Sequence, residues 1–233
     1  MNRSFERPSV LVVAAWEPEL ERFRELCRGG STLDVDLEVA PIGIGLVDAA
    51  SGLTRRIVAR APSLVVFVGT CGASPSSGLA IGDVVAGARV SLIEPAVVEG
   101  RAAMPFASEA VELDEAMVEA LVAAGARVAT IASTLAVTTD DALAAALAPH
   151  GQVEHLEAYG VARACQLERG RDGAADEARV RAAIVLGVAN VVGARGREEW
   201  RANHVAASAR AAEVAWAALA AGVRRSTRSR SPA

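Results

Sequence analysis

The chain has 233 residues, a formal net charge of −4 and 52% hydrophobic residues, of which few are aromatic. That apolar content excludes disorder for the bulk of the chain, and the length is enough for a core without staples. All 24 basic residues are arginine, so Schiff-base lysines, the GxxxxGK(S/T) phosphate loop and kinase-type lysine chemistry are excluded. Cys27, Cys71 and Cys165 are widely spaced and form no CxxC; this fits free thiols in a reducing compartment. Apolar runs reach only strand length, well short of the roughly 20 residues of a membrane span, and residues 1–15 lack a leader's cleavage pattern. The expectation is a cytoplasmic protein.

In chain order, residues 9–15 (SVLVVAA) read as a strand covered on both faces. Residues 17–27 have helical spacing, with Leu20, Phe23 and Leu26 on one face. Residues 33–40 (LDVDLEVA) alternate as a half-buried strand, 41–45 form a glycine turn, and 47–60 return to a helical pattern. Residues 63–68 predict a buried strand and 84–93 one long strand or a pair. A helix is predicted over 113–124, ending at Gly125, with strands over 127–131 and 135–138. A helix over 140–147 has an acidic N-cap and stops at Pro149. An alanine-rich helix over 156–168, a buried strand over 182–189 and a long helix over 197–223 complete the pattern.

Strands alternating with helices predict an α/β fold: a single three-layer domain over residues 1–223, with a mostly parallel central sheet flanked by helices. Residues 224–233 hold four arginines and no acid and read as a basic, disordered tail. They leave a body of twenty arginines against 28 acids, which argues against nucleic acid as a partner.

Polar residues gather at the ends of the buried strands, where open sheets place ligands: Glu17 and Glu19 after the first, Gly69–Gly72 after the third, Thr138–Asp140, and Asn190 after the last. Glu157 opens a helix. Singly, each has a plain structural reading as a cap or a first-turn charge. Together they resemble the purine nucleoside phosphorylase and nucleosidase family. VLVVAAWEPE resembles its first strand and acidic loop, PIGIGLVDAA the glycine turn before a helix, and VVFVGTCGASPSSGLAIGDVV its GT/S-x-G turn with the following GDVV strand. VEHLEAYGVA resembles the V-x-x-MEGAAVA helix, and VANVVGARGREEW the strand-end IS(D/N) with trailing arginines and tryptophan. These segments run in order across residues 10–200.

The resemblance implies cleavage of a purine nucleoside's N-glycosidic bond. Glu19 matches the acid that orients water, Thr70 the hydroxyl beside it, Glu157 the acid that binds ribose hydroxyls and Asn190 the group that meets the purine. Leu156 replaces the usual methionine as a flat apolar contact; Gly72, Cys71, Val137 and Thr138 complete the expected substrate pocket. Phe67 stands where phosphorolytic relatives carry arginine, and Glu17 and Glu19 would repel phosphate. Hydrolysis is therefore expected, with no metal and no other cofactor. Asparagine rather than aspartate at 190 suits a 6-oxopurine. With Gly193, Arg195, Arg197 and Trp200 it resembles the futalosine hydrolases of menaquinone biosynthesis, whose substrate carries an aromatic carboxylate at the 5′ carbon. A nucleosidase for 5′-methylthioadenosine and S-adenosylhomocysteine is the alternative enzyme, and a non-catalytic nucleoside-binding protein the alternative of another class. Phe106, Tyr159 and Trp16 are candidates to stack on the base. His155 reads as a helix cap or surface residue, and His204 has no role in the expected mechanism. A homodimer or higher homo-oligomer is also implied, with residues 96–108 as interface material.

Overall fold

A computed structural model describes residues 7–29, 33–105, 109–168 and 180–228, the side chains only to residue 221. Strand β1 (Ser9–Ala14) leads through a 3₁₀ turn (Glu17–Leu20) into α1 (Glu21–Arg28). Then come β2 (Asp36–Pro41), α2 (Leu46–Arg60), β3 (Leu64–Ala73), β4 (Val84–Leu92), the single turn α3 (Pro95–Val98), β5 (Val111–Glu112) and α4 (Glu115–Ala123). The order ends β6 (Arg127–Ser133), α5 (Asp141–Leu147), β7 (Val153–His155), α6 (Ala158–Leu167), β8 (Arg181–Val191) and α7 (Gly196–Arg228).

The continuous apolar runs become strands sandwiched between two cores, as periodicity predicts. Leu11, Val13, Val65, Phe67, Ile184 and Leu186 point to one side, where they meet α2 and α6 through Leu53, Ile57 and Val161. Val10, Val12, Val66, Val68 and Val185 point to the other, against Phe23 of α1, Leu121 of α4 and the alanine face of α7. That face (Ala211, Ala212, Ala215) is flat, and it lets a helix lie close to the sheet. Asp114 and Asp140 cap α4 and α5 through the amides of Met117 and Leu143.

The expected mostly parallel central sheet is in fact mixed and closes on itself. Strands β1, β2 and β3 are parallel, as are β3 with β8, β4 with β6 and β6 with β7; but β7 runs antiparallel to β3, and β4 antiparallel to both β8 and β5. Because β3 pairs β7 and β8 while β4 pairs β6 and β8, the ladder β3–β7–β6–β4–β8 returns to its start and closes a ring. The cause is local. Residues 74–83 join β3 to β4 without a helix, too short for a parallel crossover. Register breaks at Cys71/Gly72 and Gly87/Arg89 then add bend and twist.

Three further expectations change. Residues 69–72 continue β3 instead of turning, and 135–138 form a loop in which the Thr138 amide bonds the Glu154 side chain, not a strand neighbour. Helix α7 continues to Arg228, so helical backbone passes through the boundary expected at residue 223; residues 229–233, like 106–108 of the expected interface segment, lie outside the described residues. No described helix is long and apolar enough to cross a membrane.

Candidate active site

The lips of β1, β3, β7 and β8, with the start of α7, enclose a cavity of about 470 Å³. Its acidic side is built around Thr70. Glu19, on the 3₁₀ turn after β1, is buried. Its Oε1 accepts from both the backbone N–H of Thr70 (3.1 Å) and its hydroxyl (3.2 Å). The Thr70 Oγ1 in turn accepts from the Trp200 indole N–H (3.1 Å). A relay therefore runs from α7 through β3 to Glu19, and it fixes one carboxyl oxygen at Thr70. Burial, and then the nearby Glu157 carboxylate, push the Glu19 carboxyl up to about 8 against the opposing Thr70 bonds.

Glu157 reaches the cavity from the residue before α6. It does not cap its own helix; its Oε1 accepts from the Gly45 N–H at 2.7 Å. Gly45 has φ 87°, a conformation natural to glycine, and this aims the amide just before α2 at the carboxylate. The cap of α6 is His155: its Nδ1 accepts from the amides of Glu157 and Ala158, both at 3.1 Å. That lone pair is taken, so the proton of the ring sits on Nε2. The 3.4 Å approach of Nδ1 to Glu157 Oε2 is then a contact with a neutral imidazole, and burial indeed holds His155 below its usual value. The ring stands edge-on to Phe67 (5.2 Å, 87°). Phe67 is completely buried, a core residue.

Asn190 owes its position to an irregularity. Across β3 and β8, Cys71 faces Val188 but Gly72 faces Asn190, so Ala189 is an extra residue in the ladder. The bulge turns Asn190 to the face of Gly72, and the Asn203 side chain satisfies the displaced Ala189 carbonyl (3.2 Å). A Cβ on Gly72 would stand 2.8 Å from Asn190 Nδ2, so only glycine leaves room there. Asn190 Nδ2 donates to the Val191 carbonyl (3.0 Å); its second hydrogen and Oδ1 have no hydrogen-bond partner among the described residues.

Of the expected site residues, Glu19, Thr70, Cys71, Gly72, Val137, Leu156, Glu157 and Asn190 line this one cavity. Thr138 does not. It is buried behind the wall, where its N–H (3.0 Å) and hydroxyl both bond Glu154. Glu154 does line the cavity, and sequence reasoning missed it; only its strand periodicity beside His155 could have signalled it. Burial raises the Glu154 carboxyl, opposed by the Thr138 bonds. Burial also pushes the Cys71 thiol up, so it is a packing surface, not a nucleophile. Trp16 and Trp200 supply the aromatic lining, with His204 stacked on Trp200 (4.2 Å). Tyr159 turns its hydroxyl to the Glu109 carbonyl instead. Arg197 and Arg201, one turn apart on α7, stand exposed on the lining with no ion-pair partner among the described residues. Among those residues no group of three or more His, Cys, Asp or Glu could hold a metal ion.

No protein-family model and no curated protein sequence matches the chain. Solved structures do, along nearly their whole length. A futalosine hydrolase mutant of Helicobacter pylori strain 26695 superposes with TM-score 0.77 at 16% identity, over 91% of this chain and 98% of that one. The 5′-methylthioadenosine/S-adenosylhomocysteine nucleosidase of Neisseria meningitidis, in complex with methylthio-immucillin-A, gives 0.74 at 23%, over 90% and 97%. The corresponding nucleosidase of Colwellia psychrerythraea 34H, in complex with adenine, gives 0.74 at 17%, over 92% and 96%. The fold is the one these three enzymes share.

Proposed function

We propose that the protein hydrolyses the N-glycosidic bond of a purine nucleoside, and that this nucleoside carries a 6-oxopurine and an anionic 5′ extension, as futalosine does. The observation that carries the reading is the Glu19–Thr70–Trp200 relay inside the cavity. It presents a buried carboxyl, pushed up to about 8, to the space a substrate would fill. A general base works best when its pKa lies near the operating pH.

In this reading the C1′–N9 bond breaks with its electron pair passing to the purine. A water held by the Glu19 carboxylate adds to C1′ and gives its proton to Glu19. Glu157, braced by Gly45, accepts from ribose hydroxyls and holds the sugar against that water. The purine's negative charge spreads over N7 and O6, where the free N–H of Asn190 meets it; the base takes up a proton after leaving. Thr70, Leu156, Cys71, Gly72 and Val137 shape the pocket, and Trp16 and Trp200 offer flat faces to the base or to an aromatic extension.

Two features favour water over phosphate: the core role of Phe67, and three acids (Glu19, Glu154, Glu157) on the lining. Arg197 and Arg201 supply the cations that a 5′ carboxylate requires; futalosine and S-adenosylhomocysteine both carry one, and between them Asn190, which cannot act as an acid, favours the 6-oxopurine. Ile44 and Val137 are exposed apolar residues on the lining, flanked by exposed Val47 and Leu135; a second copy covering this mouth fits a homodimer. The test is to incubate pure protein with futalosine, 5′-methylthioadenosine, inosine and adenosine, with and without phosphate. Free hypoxanthine from futalosine in phosphate-free buffer is expected. Activity only on phosphate addition, with a ribose 1-phosphate product, overturns hydrolysis; no base release with tight nucleoside binding favours the non-catalytic reading.

A further inference from the structure

We infer that His155 decides whether Glu157 can hold the sugar: while neutral, its Nδ1 caps α6 and keeps Glu157 in place; once protonated, it drops the cap and takes the carboxylate for itself. The inference rests on the nucleoside reading above, in which Glu157 accepts from ribose hydroxyls, and adds to it a positioning residue and an acid limit.

The start of α6 is held from the sheet. Ser133 of β6 and His155 of β7 are paired, and between them they take three amides. His155 Nδ1 accepts from Glu157 and Ala158, both at 3.1 Å, and Ser133 Oγ accepts from Tyr159 at 3.3 Å. The first of these amides belongs to Glu157 itself. Glu157 is thus placed from two sides, by the Gly45 N–H on Oε1 (2.7 Å) and by His155 on the backbone. The ring is buried and stands edge-on to Phe67, so it has little room to flip.

A proton entering this arrangement has one place to go. Nε2 already carries a hydrogen, so the second must sit on Nδ1, and a protonated imidazole has no acceptor left. Nδ1 would then oppose two N–H groups and face Glu157 Oε2 at 3.4 Å, the oxygen that Gly45 does not hold. A contact between two lone pairs becomes a charge-assisted hydrogen bond, and the two amides lose their cap. Glu157 is then drawn from the cavity to its neighbour. It is the charged group that touches His155; the other titratable or charged groups on the lining are Glu19, Cys71, Glu154, Arg197 and Arg201. Burial opposes the proton, Glu157 attracts it, and burial prevails. The neutral, working form therefore holds at neutral pH, and the exchange falls on the acid side of an ordinary histidine.

One readout that needs no turnover and one that does test this. Ring ¹⁵N resonances of the three histidines are followed over pH 4.5–8 in wild type, Glu157→Gln and His155→Asn, the last of which assigns the His155 signals. Expected are a neutral ring with its hydrogen on Nε2, a midpoint below the ordinary 6.5, and a midpoint lower by about one pH unit or more in Glu157→Gln, where the attracting charge is gone. Kinetics compare wild type, His155→Leu and His155→Asn, whose Oδ1 can accept where Nδ1 does but cannot titrate. At pH 8 His155→Leu should lose about 5- to 30-fold in kcat/KM with the cap, and His155→Asn should recover most of it. The ratio of His155→Asn to wild type should be flat above pH 7 and climb toward tenfold per pH unit below the His155 midpoint; the Glu19 titration is common to both and cancels. Should His155→Leu fail to fold, the ring and His155→Asn measurements decide alone. A hydrogen on Nδ1 at neutral pH, a midpoint unmoved by Glu157→Gln, a ring that stays neutral down to pH 4.5, or a ratio flat over the whole range overturns the inference. If the ring data hold as stated while no nucleoside is cleaved, the His155–Glu157 exchange stands and the hydrolytic reading alone is lost.

Discussion

Glu19→Gln should make the protein more stable and nearly inactive. The Glu19 carboxyl sits at about 8 in the fold against 4.5 as a free side chain, so the folded state holds its proton far more tightly than the unfolded chain does. Stability from this group is complete below pH 4.5 and is lost progressively as pH rises to about 8, because keeping the fold then requires a buried carboxylate beside Glu157. At about 1.4 kcal/mol per pH unit, wild type loses roughly 3 kcal/mol by pH 7 and at most about 5 kcal/mol above pH 8. Glutamine keeps the oxygen that accepts from Thr70 and cannot ionise. Its Tm should match wild type near pH 4.5 and exceed it by about 6–12 °C at pH 7, taking about 2–4 °C per kcal/mol for a chain of this size. Turnover should fall on the order of 10²–10⁴-fold with the loss of the base. In wild type, log kcat/KM should climb with pH and level off near 8, since the ionised form is the active one. Thermal scans and initial rates over pH 4.5–9 give both readouts. A Glu19→Gln protein that melts below wild type at pH 8, or that retains turnover, would refute the placement of a strained base at this position.

Glu157→Gln should cut kcat/KM by 10²-fold or more, while the same substrate lacking its 2′-hydroxyl should lose far less in the variant than in wild type, as rates on the two substrates will show. Asn190→Asp should shrink or reverse a preference for hypoxanthine over adenine nucleosides, because a carboxyl can deliver a proton to N7; an unchanged ratio of kcat/KM removes Asn190 from base recognition. Trp200→Phe deletes the donor to Thr70 and should lower kcat about 5- to 10-fold, the worth of about 1 kcal/mol, with KM nearly constant. Arg197→Ala with Arg201→Ala should raise KM for a carboxylate-bearing nucleoside and leave inosine unaffected, which steady-state kinetics on both substrates checks.

Much of the fold was legible because burial writes itself into composition. The runs around Val12, Val66 and Val185 have apolar residues on both faces, and only a sheet covered twice uses them. The cap Asp140 and the stop near Gly125 follow from local chemistry, and the structure shows them; the cap at Asp114, one residue inside the expected helix, was not read. The strand-end polar residues could be gathered into one site because each ends a run. Closure of the sheet was not legible. It depends on β7, three residues long, and on pairing partners far apart in the chain, neither of which leaves a period to read. Residues 135–138 have strand-like composition, yet Glu154 takes the amide that a ladder would need. Thr138 was expected at the substrate for the same reason: a sequence shows a hydroxyl at a strand end, not the carboxylate that claims it. The bulge that sets Asn190 opposite Gly72 is likewise a matter of register, one extra residue in a pairing the sequence does not display.

The closed ring of strands also bears on how the chain reaches its native state. Leu64 pairs with Arg181, so β3 waits for nearly the whole chain before its longest ladder can zip, and contacts of such separation make for slow folding. Until then β3 and β4 present long apolar edges, the surfaces most prone to pair with another copy. The strand that ends this exposure also brings Asn190, and the helix behind it brings Trp200. Closure of the ring and completion of the cavity thus both wait for the last strand and helix of the nascent chain. A shortened product that stops before residue 181 lacks Asn190 and Trp200 and keeps the open edges.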